Sequence, residues 1–497
     1  MKRRALLLSA RDGLLLLPWV FLVGFTLRAS PYGLTEEGAK ALLLAWSIGD
    51  QVASSVLALG APDIRAVFFL PLGFFWPGQV IAAKVLTLLT MGGAGVALYS
   101  WRRRDGQAEA ALLATGLLLI APLTVESIDA LSAAPFLLAI CAAAFWLNQM
   151  LGRERGALGG SFFGQLVLCG AAVSLHPAGL AYPAALLLTW WTKPPDSRHR
   201  AYFLLGIPLV VSLVIAMRLG WPGTAWGQNP LPAAAAVFIG SRAESALSSE
   251  DWFIGCVVLA LTVAVALHER RRLLADLTGS TLLLGVLFGA VAADQTWGVL
   301  VLALVLYAGV PWLLRGCAPL AGRGLLIQRG WLWLLLLLIS TAFMRTHKAD
   351  YEAGRDNRLS IQDELIHSFA EGISRLQSAD QAGGKPAAPI LVASSWPART
   401  SIACKCGGLP LPPVAKDPED QLAMMRGVSY LILADSRDNR ALANNFAELG
   451  RRVEVLSRQP GGVILHFKEA ATSTRRDSAA ASEPGRLPVF AMPSRTC

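Results

Sequence analysis

The sequence predicts a polytopic α-helical membrane protein that ends in a small extracytoplasmic α/β domain, and three observations predict it. Apolar runs follow one another as far as about Arg345, in a chain that is 54% hydrophobic and 16% charged with a mean hydropathy of +0.50. That composition lies far from the soluble average. Basic residues gather in the short segments between these runs, on alternate sides, as membrane topology requires. Beyond Arg345 the composition turns soluble, and strand-like and helix-like stretches alternate, which implies a layered α/β unit.

Taken in order, Met1–Arg4 is a basic start. After Arg11 and Asp12, the run Gly13–Leu27 reads as an uncleaved first span rather than a signal peptide, because many spans follow and Arg28 fits a cleavage site poorly. Further spans are expected near 67–100 (crossing from around Gln79), 107–124, 131–150, 160–175, 178–192, 201–219, 252–268, 277–293, 297–314 and 329–344. The total is about eleven, several of them shorter than the roughly 20 residues of a straight crossing. Met1–Arg4, Arg102–Arg104, Arg153 with Arg155, Lys193–Arg200, Glu269–Arg272 and Arg315–Arg329 fall on one side, which the positive-inside rule makes cytoplasmic. The other side receives 30–78, 125–130, the turns near His176 and Asp294, 220–250 and everything after Arg345. A multi-pass protein of a bacterial inner membrane is expected, with its N-terminus in the cytoplasm and its C-terminal domain in the periplasm. The domains are then 1–345, carrying an outer loop 30–78 with an interfacial helix, and 346–469, followed by a Ser-, Ala-, Arg- and Pro-rich tail, 470–497, of disordered composition.

Within the C-terminal domain, Ser360–Leu376 has the pattern of an amphipathic helix. A strand is expected at Pro389–Ala393, a polar loop through Trp396–Arg399 and a helix at Asp417–Arg426. Strands at Val428–Ala434, Arg452–Leu456 and Gly462–Phe467, with a helix at Asn439–Leu449, complete the domain. No GxGxxG is present, so no dinucleotide is assigned.

The net charge of +10 sits in the loops between spans and does not indicate a nucleic-acid partner. The seven cysteines show no zinc-like spacing. Cys404 and Cys406 lie in what should be an oxidising compartment, where disulfides form, but their partners are not legible. Ionisable groups are scarce at mid-span, which argues against a proton-coupled transporter.

The chemistry-bearing stretch is the outer segment after the first span. Thr35 is a plausible N-cap, with Glu36 and Glu37 in the favoured first turn. Ala41, Leu42, Leu44, Ala45, Ile48 and Val52 give the following helix one apolar face, suited to the membrane interface. Two adjacent carboxylates are thereby held at the head of a surface helix, although acids in a first turn also simply complement the helix dipole. Asp50, Asp63 with Arg65, and Glu126 with Asp129 are the other outer-face acids that cluster.

This layout resembles the C-type glycosyltransferase superfamily, particularly its aminoarabinose-transferase and protein O-mannosyltransferase branch. Glu36–Glu37 stands where that family has an Asp-Glu pair, and Gly49–Asp50 and Ala61–Arg65 look like its following segments. His176–Pro177 stands in place of a Lys-Gly-Pro motif, and Asp294–Trp297 in place of a late basic residue. The resemblance implies an inverting transfer of sugar from a polyprenyl-phosphate donor to an outer-face glycan, lipid or protein. In that reaction a carboxylate deprotonates the acceptor hydroxyl, and cations or a metal offset charge on the departing phosphate. The implied bases are Glu37, Glu36 and then Asp129. Arg65, Lys84 and Arg218 are implied phosphate contacts, and Asp63 and Asp129 could hold a divalent metal ion. The alternative is a non-catalytic scaffold or lipid-handling protein of the same shape.

Overall fold

The computed structural model describes residues 16–28, 33–47, 63–104, 108–151, 160–191, 230–239, 249–316, 334, 337–348, 361–382, 390–449, 452–459 and 461–467. They divide into two compact units. Met1–Ala29, Asp63–Arg65 and Val80–Glu352 form one, and Ser30–Pro62, Ala66–Gln79 and Ala353–Cys497 form the other.

The first unit is built of apolar helices. They are α1 (Leu16–Arg28), α4 (Val80–Arg104), α5 (Ala108–Ile120), α6 (Pro122–Asp129), α7 (Ala134–Leu151), α8 (Gly160–Leu175), α9 (Ala181–Trp191), α10 (Pro230–Ile239), α11 (Ser249–Leu274), α12 (Leu277–Gly289), α13 (Gln295–Leu304) and α14 (Val310–Gly316), with α2 and α3 belonging to the second unit. Among the described residues, Val80–Arg103, Trp252–Leu274 and Gln295–Leu313 are long and apolar enough to cross a membrane. A fourth crossing arises if α5 and α6, bent by 52° at their junction, form one span. The bend has a local cause: Pro122 excludes Ala121 from helical geometry, and Ala121 is extended at φ −63°, ψ 136°. The described residues do not confirm the count of about eleven; the expected span 201–219 and most of 329–344 lie outside them. Packing is close where glycine allows it. A Cβ on Gly92 of α4 would fall 1.1 Å from the Trp19 ring of α1. Between α13 and α14 the helix opens into a π turn, Val305–Gly309, whose Tyr307 carbonyl accepts Arg102 Nε at 2.8 Å.

The second unit contains α2 (Glu36–Ser47), the body of α3 (Arg65–Phe75) and the C-terminal domain. The domain has helices α15 (Ile361–Ala382), α16 (Pro397–Cys404), α17 (Pro418–Met424) and α18 (Arg437–Glu448). Its strands are β1 (Leu391–Ser394), β2 (Gly407–Pro410), β3 (Tyr430–Ala434), β4 (Val453–Gln459) and β5 (Gly462–Phe467). The sheet order is β2-β1-β3-β5-β4. The first three strands are parallel, and β5 and β4 join antiparallel. Alternate residues of each strand face opposite layers. Val392, Tyr430, Ile432 and Ile464 pack with Leu365, Phe369 and Ile373 of α15, while Leu391, Leu431, Leu433 and Leu465 pack with Leu442 and Phe446 of α18. The result is a three-layer α/β sandwich, as the alternation of patterns implied.

Two local expectations need correction. Trp396–Arg399 is not a loop; it opens α16, an eight-residue helix. The edge strand β2 was not foreseen, because Gly-Gly-Leu-Pro has poor strand propensity. Gly408 is required there, since a Cβ would meet the Pro397 carbonyl at 2.5 Å. Cys404 and Cys406 are joined to each other in a disulfide that links the end of α16 to the approach to β2.

Helix α3 buries Ala66, Phe69 and Leu72, whereas Val67, Phe68, Phe74 and Phe75 on its other side are exposed. Both faces are apolar, and at roughly 16 Å the helix is too short to cross a bilayer, which suits a helix lying in the lipid interface. It meets α2 at Gly73, where a Cβ would lie 2.2 Å from the Ala45 carbonyl oxygen. Backbone cannot yield as a side-chain tip can. Gly73→Ala is therefore expected to destabilise this crossing by about 1–3 kcal/mol, read as faster proteolysis within 36–75 than in wild type.

Candidate active site

In the membrane-helix unit, two ion pairs meet around one turn. Asp63 lies two residues before Arg65, which opens α3. Asp63 Oδ1 accepts the Arg65 backbone N–H at 2.8 Å, and Arg65 Nε donates to Oδ1 at 3.0 Å and to Oδ2 at 2.8 Å. The same guanidinium donates from Nη1 to the Leu131 carbonyl at 2.7 Å. Leu131 adopts the left-handed conformation, φ 54°, at the turn that ends α6. This is a sparsely populated state for a leucine, of the kind found where a turn is over-determined by its surroundings. Asp129, the last residue of α6, pairs with Lys84 of α4. The Lys84 side chain is only 2% exposed and that of Asp129 19%. A buried ammonium needs such a partner, since desolvation without one is prohibitive.

In the other unit, Thr35 caps α2, its Oγ1 accepting the Gly38 N–H at 3.1 Å. Glu36 and Glu37 occupy the first turn, yet their environments differ. Glu36 Oε1 accepts the N–H of Ala398 at 2.8 Å, and Oε2 accepts that of Arg399 at 3.1 Å. Burial pushes the Glu36 carboxyl above its usual range, opposed by those two N–H groups and by Lys40. Glu37 is half-buried with Lys40 Nζ 3.7 Å away. Arg399 points its guanidinium elsewhere, to Asp363 and to Gln362 Oε1 at 3.3 Å.

A further pair ties two turns of the membrane-helix unit. His176 Nδ1 accepts the Ala178 N–H at 3.1 Å, which leaves Nε2 to donate to Asp294 Oδ2 at 3.1 Å. Asp294 caps α13 through Oδ1, which accepts the Trp297 N–H at 3.0 Å. Its neighbour Ala293 has φ 45°. Burial alone would raise the Asp294 carboxyl, but the hydrogen bond from His176 and those from the backbone N–H groups of Trp297 and Thr296 outweigh it and hold the group below its ordinary 3.8. A depressed carboxylate stabilises the fold fully above the unfolded value, and that contribution is lost as pH falls through the folded one. Asp294→Asn is thus expected to reduce stability by about 1–2 kcal/mol at pH 7. The difference from wild type should shrink below the ordinary carboxylate range, where wild-type Asp294 is itself protonated. Thermal unfolding of both proteins across pH checks it.

The expected residues therefore fall into separate groups. Asp63, Arg65, Lys84 and Asp129 come together around the Asp129–Leu131 turn, while Glu36 and Glu37 belong to the second unit. Arg218 lies outside the described residues. Asp63 and Asp129, the carboxylates considered for a divalent cation, are each engaged by a basic side chain. Among the described residues no group of three or more His, Cys, Asp or Glu side chains could hold a metal ion. So engaged, these two carboxylates do not fit a resident metal. Sequence reasoning missed Arg399 and Asp363, placed in a loop and on an ordinary amphipathic helix. It also treated His176 and Asp294 separately; the only available signal was that both stand in outer-side turns.

The fold defines a polytopic α-helical membrane protein carrying a three-layer α/β domain. No family model matches the sequence, and no curated protein does. Among solved structures, the crystal structure of ArnT from Cupriavidus metallidurans bound to undecaprenyl phosphate is similar over 92% of this chain and 97% of that one, at 13% identity and a TM-score of 0.49. A likeness of that size carries no residue correspondence.

Proposed function

We propose that the protein is an integral-membrane glycosyltransferase. It would transfer a sugar from a polyprenyl-phosphate donor to an acceptor glycan, lipid or protein on the outer face of a bacterial inner membrane, with inversion at the anomeric carbon. The observation that carries this reading is the pair of fixed cations, Arg65 and Lys84, held around one turn at the head of the membrane helices. A departing polyprenyl phosphate needs charge compensation placed before the bond breaks. In the step itself the acceptor hydroxyl oxygen bonds to the anomeric carbon while the bond from that carbon to the phosphate oxygen breaks. The electron pair leaves with the phosphate, and a carboxylate takes the hydroxyl proton. Glu37 is assigned as that base, with Asp129 as the alternative; Glu36 already spends both oxygens on backbone N–H groups.

The internal neutralisation of Asp63 by Arg65 and of Asp129 by Lys84 also favours a second reading, a non-catalytic scaffold that binds polyprenyl lipid. Purified protein in nanodiscs, given a panel of polyprenyl-phosphate sugars, separates the two. Release of polyprenyl phosphate supports the transferase. Binding of polyprenyl phosphate with no release from any donor supports the scaffold.

A further inference from the structure

The C-terminal domain has a position that its own topology marks out for a ligand. In an open α/β sheet, ligands sit outside the carboxyl ends of the parallel strands, in the crevice between neighbouring strands whose connections leave in opposite directions. Here those strands are β1 and β3: the connection through α16 leads from β1 to β2 on one side, and the connection through α18 leads from β3 to β4 on the other. The chain leaving β1 passes through Ser395 and Trp396 into α16, so the first turn of α16 lies at this switch point. A helix start there presents unpaired N–H groups and the positive end of the helix dipole. Trp396, the N-cap residue, offers no side-chain acceptor, and Pro397 occupies the first turn.

The position is taken by the chain itself. Glu36 lies 362 residues before Ala398 in sequence, and its carboxylate accepts the N–H of Ala398 with one oxygen and that of Arg399 with the other. It is bound as a free carboxylate ligand would be at a helix N-terminus. Helix α2 packs along α16. The charged groups facing Glu36 are Lys40 and Glu37 on α2, Arg399 on α16, and Asp363 on α15 beyond it. Since Arg399 turns its guanidinium to Asp363 and Gln362, the two backbone N–H groups are the tether.

We infer that Glu36 is a positioning residue: it fills the switch-point position of the C-terminal domain, and through this bond the domain holds the helix that carries Glu37. The inference rests on Glu37 being the base, and it gives the soluble domain a role that needs no acceptor-binding site on it. Protonation of Glu36, favoured by burial, weakens a tether made by an anion.

Glu36→Gln tests this in the full-length protein in nanodiscs. Glutamine keeps the length and removes the buried charge, but it offers one acceptor oxygen and turns an N–H group towards the helix start. Amide exchange over 397–404 should quicken by roughly 10-fold, and kcat for release of polyprenyl phosphate should fall by roughly 10- to 100-fold, as misplacement of a reacting group by an ångström does. KM for the donor should stay within about 2-fold of wild type, because a displaced base alters the chemical step and not donor binding. Unchanged exchange overturns the tether. Faster exchange with unchanged kcat overturns the positioning role and leaves Glu36 as a cap only. If the wild type releases no polyprenyl phosphate from any donor, the transferase reading fails and the positioning role with it, while the exchange comparison still decides the tether.

Discussion

Glu37→Gln is expected to lower kcat for transfer by roughly 10²- to 10⁴-fold, the usual contribution of a general base, with KM for the donor little changed. Glutamine occupies the same volume and keeps one acceptor oxygen but cannot take a proton, so the loss should fall on the chemical step. Structural damage should be small. Thr35 caps the helix through Gly38, and the backbone bonds that fix this helix to α16 belong to Glu36 rather than to Glu37. The half-buried Glu37 makes its nearest charge contact with Lys40, at 3.7 Å, a separation at which an exposed pair contributes about 1 kcal/mol or less. A single-turnover assay with radiolabelled donor, run beside a thermal melt, measures both. If Glu37→Gln turns over at the wild-type rate, Glu37 is not the base, and the role of Glu36 as a positioning residue falls with it.

The contrast between two neighbouring glutamates shows where sequence reasoning stops. A Thr followed by two acids and an apolar-faced run is a local signal, and the helix it implies is present with its cap formed by Thr35. Which of the two acids remains available depends on a hydrogen bond to residues 362 positions away, and no local pattern carries that. The same bond explains why α16 was read as a loop. Helix starts are recognised by a capping side chain next to them, and at Trp396 there is none because the cap arrives from Glu36. The α/β domain was legible because strands β1, β3 and β5 are short apolar runs between turn signals, a pattern set by burial on both faces. The membrane helices were legible as apolar runs, and the long span beginning at Val80 was expected to start around Gln79. Which apolar runs are single crossings was less legible, since α5 and α6 are one run of hydropathy broken at Pro122, and a short apolar helix such as α3 reads in sequence like part of a crossing. The pairing of Lys84 with Asp129 was equally hidden. Each was named for a separate role, and only the packing of α4 beside the end of α6 joins them.

That pair provides the second large effect. Asp129→Asn is expected to destabilise the membrane-helix unit by about 3 kcal/mol, the lower end of what breaking a buried ion pair costs. It leaves the ammonium of Lys84, 2% exposed, without its carboxylate, and the partial exposure of Asp129 keeps the effect from being larger. Lys84→Met should cost less, since the carboxylate left behind reaches solvent. The double variant Lys84→Met/Asp129→Leu removes both charges and should recover most of the lost stability, because well-packed apolar residues commonly replace a buried pair without penalty. Stability and activity then separate. If the double variant melts near wild type but releases no polyprenyl phosphate, the pair belongs to the reaction, through Lys84 at the leaving phosphate or Asp129 as the base. If it melts near wild type and still transfers sugar, the pair only joins α4 to α6, and compensation of the phosphate rests on Arg65 alone among the cations of that turn assigned to it. The first outcome is expected. An ion pair buried at the end of a membrane helix stabilises little over an apolar one, which is what lets the double variant separate stability from activity.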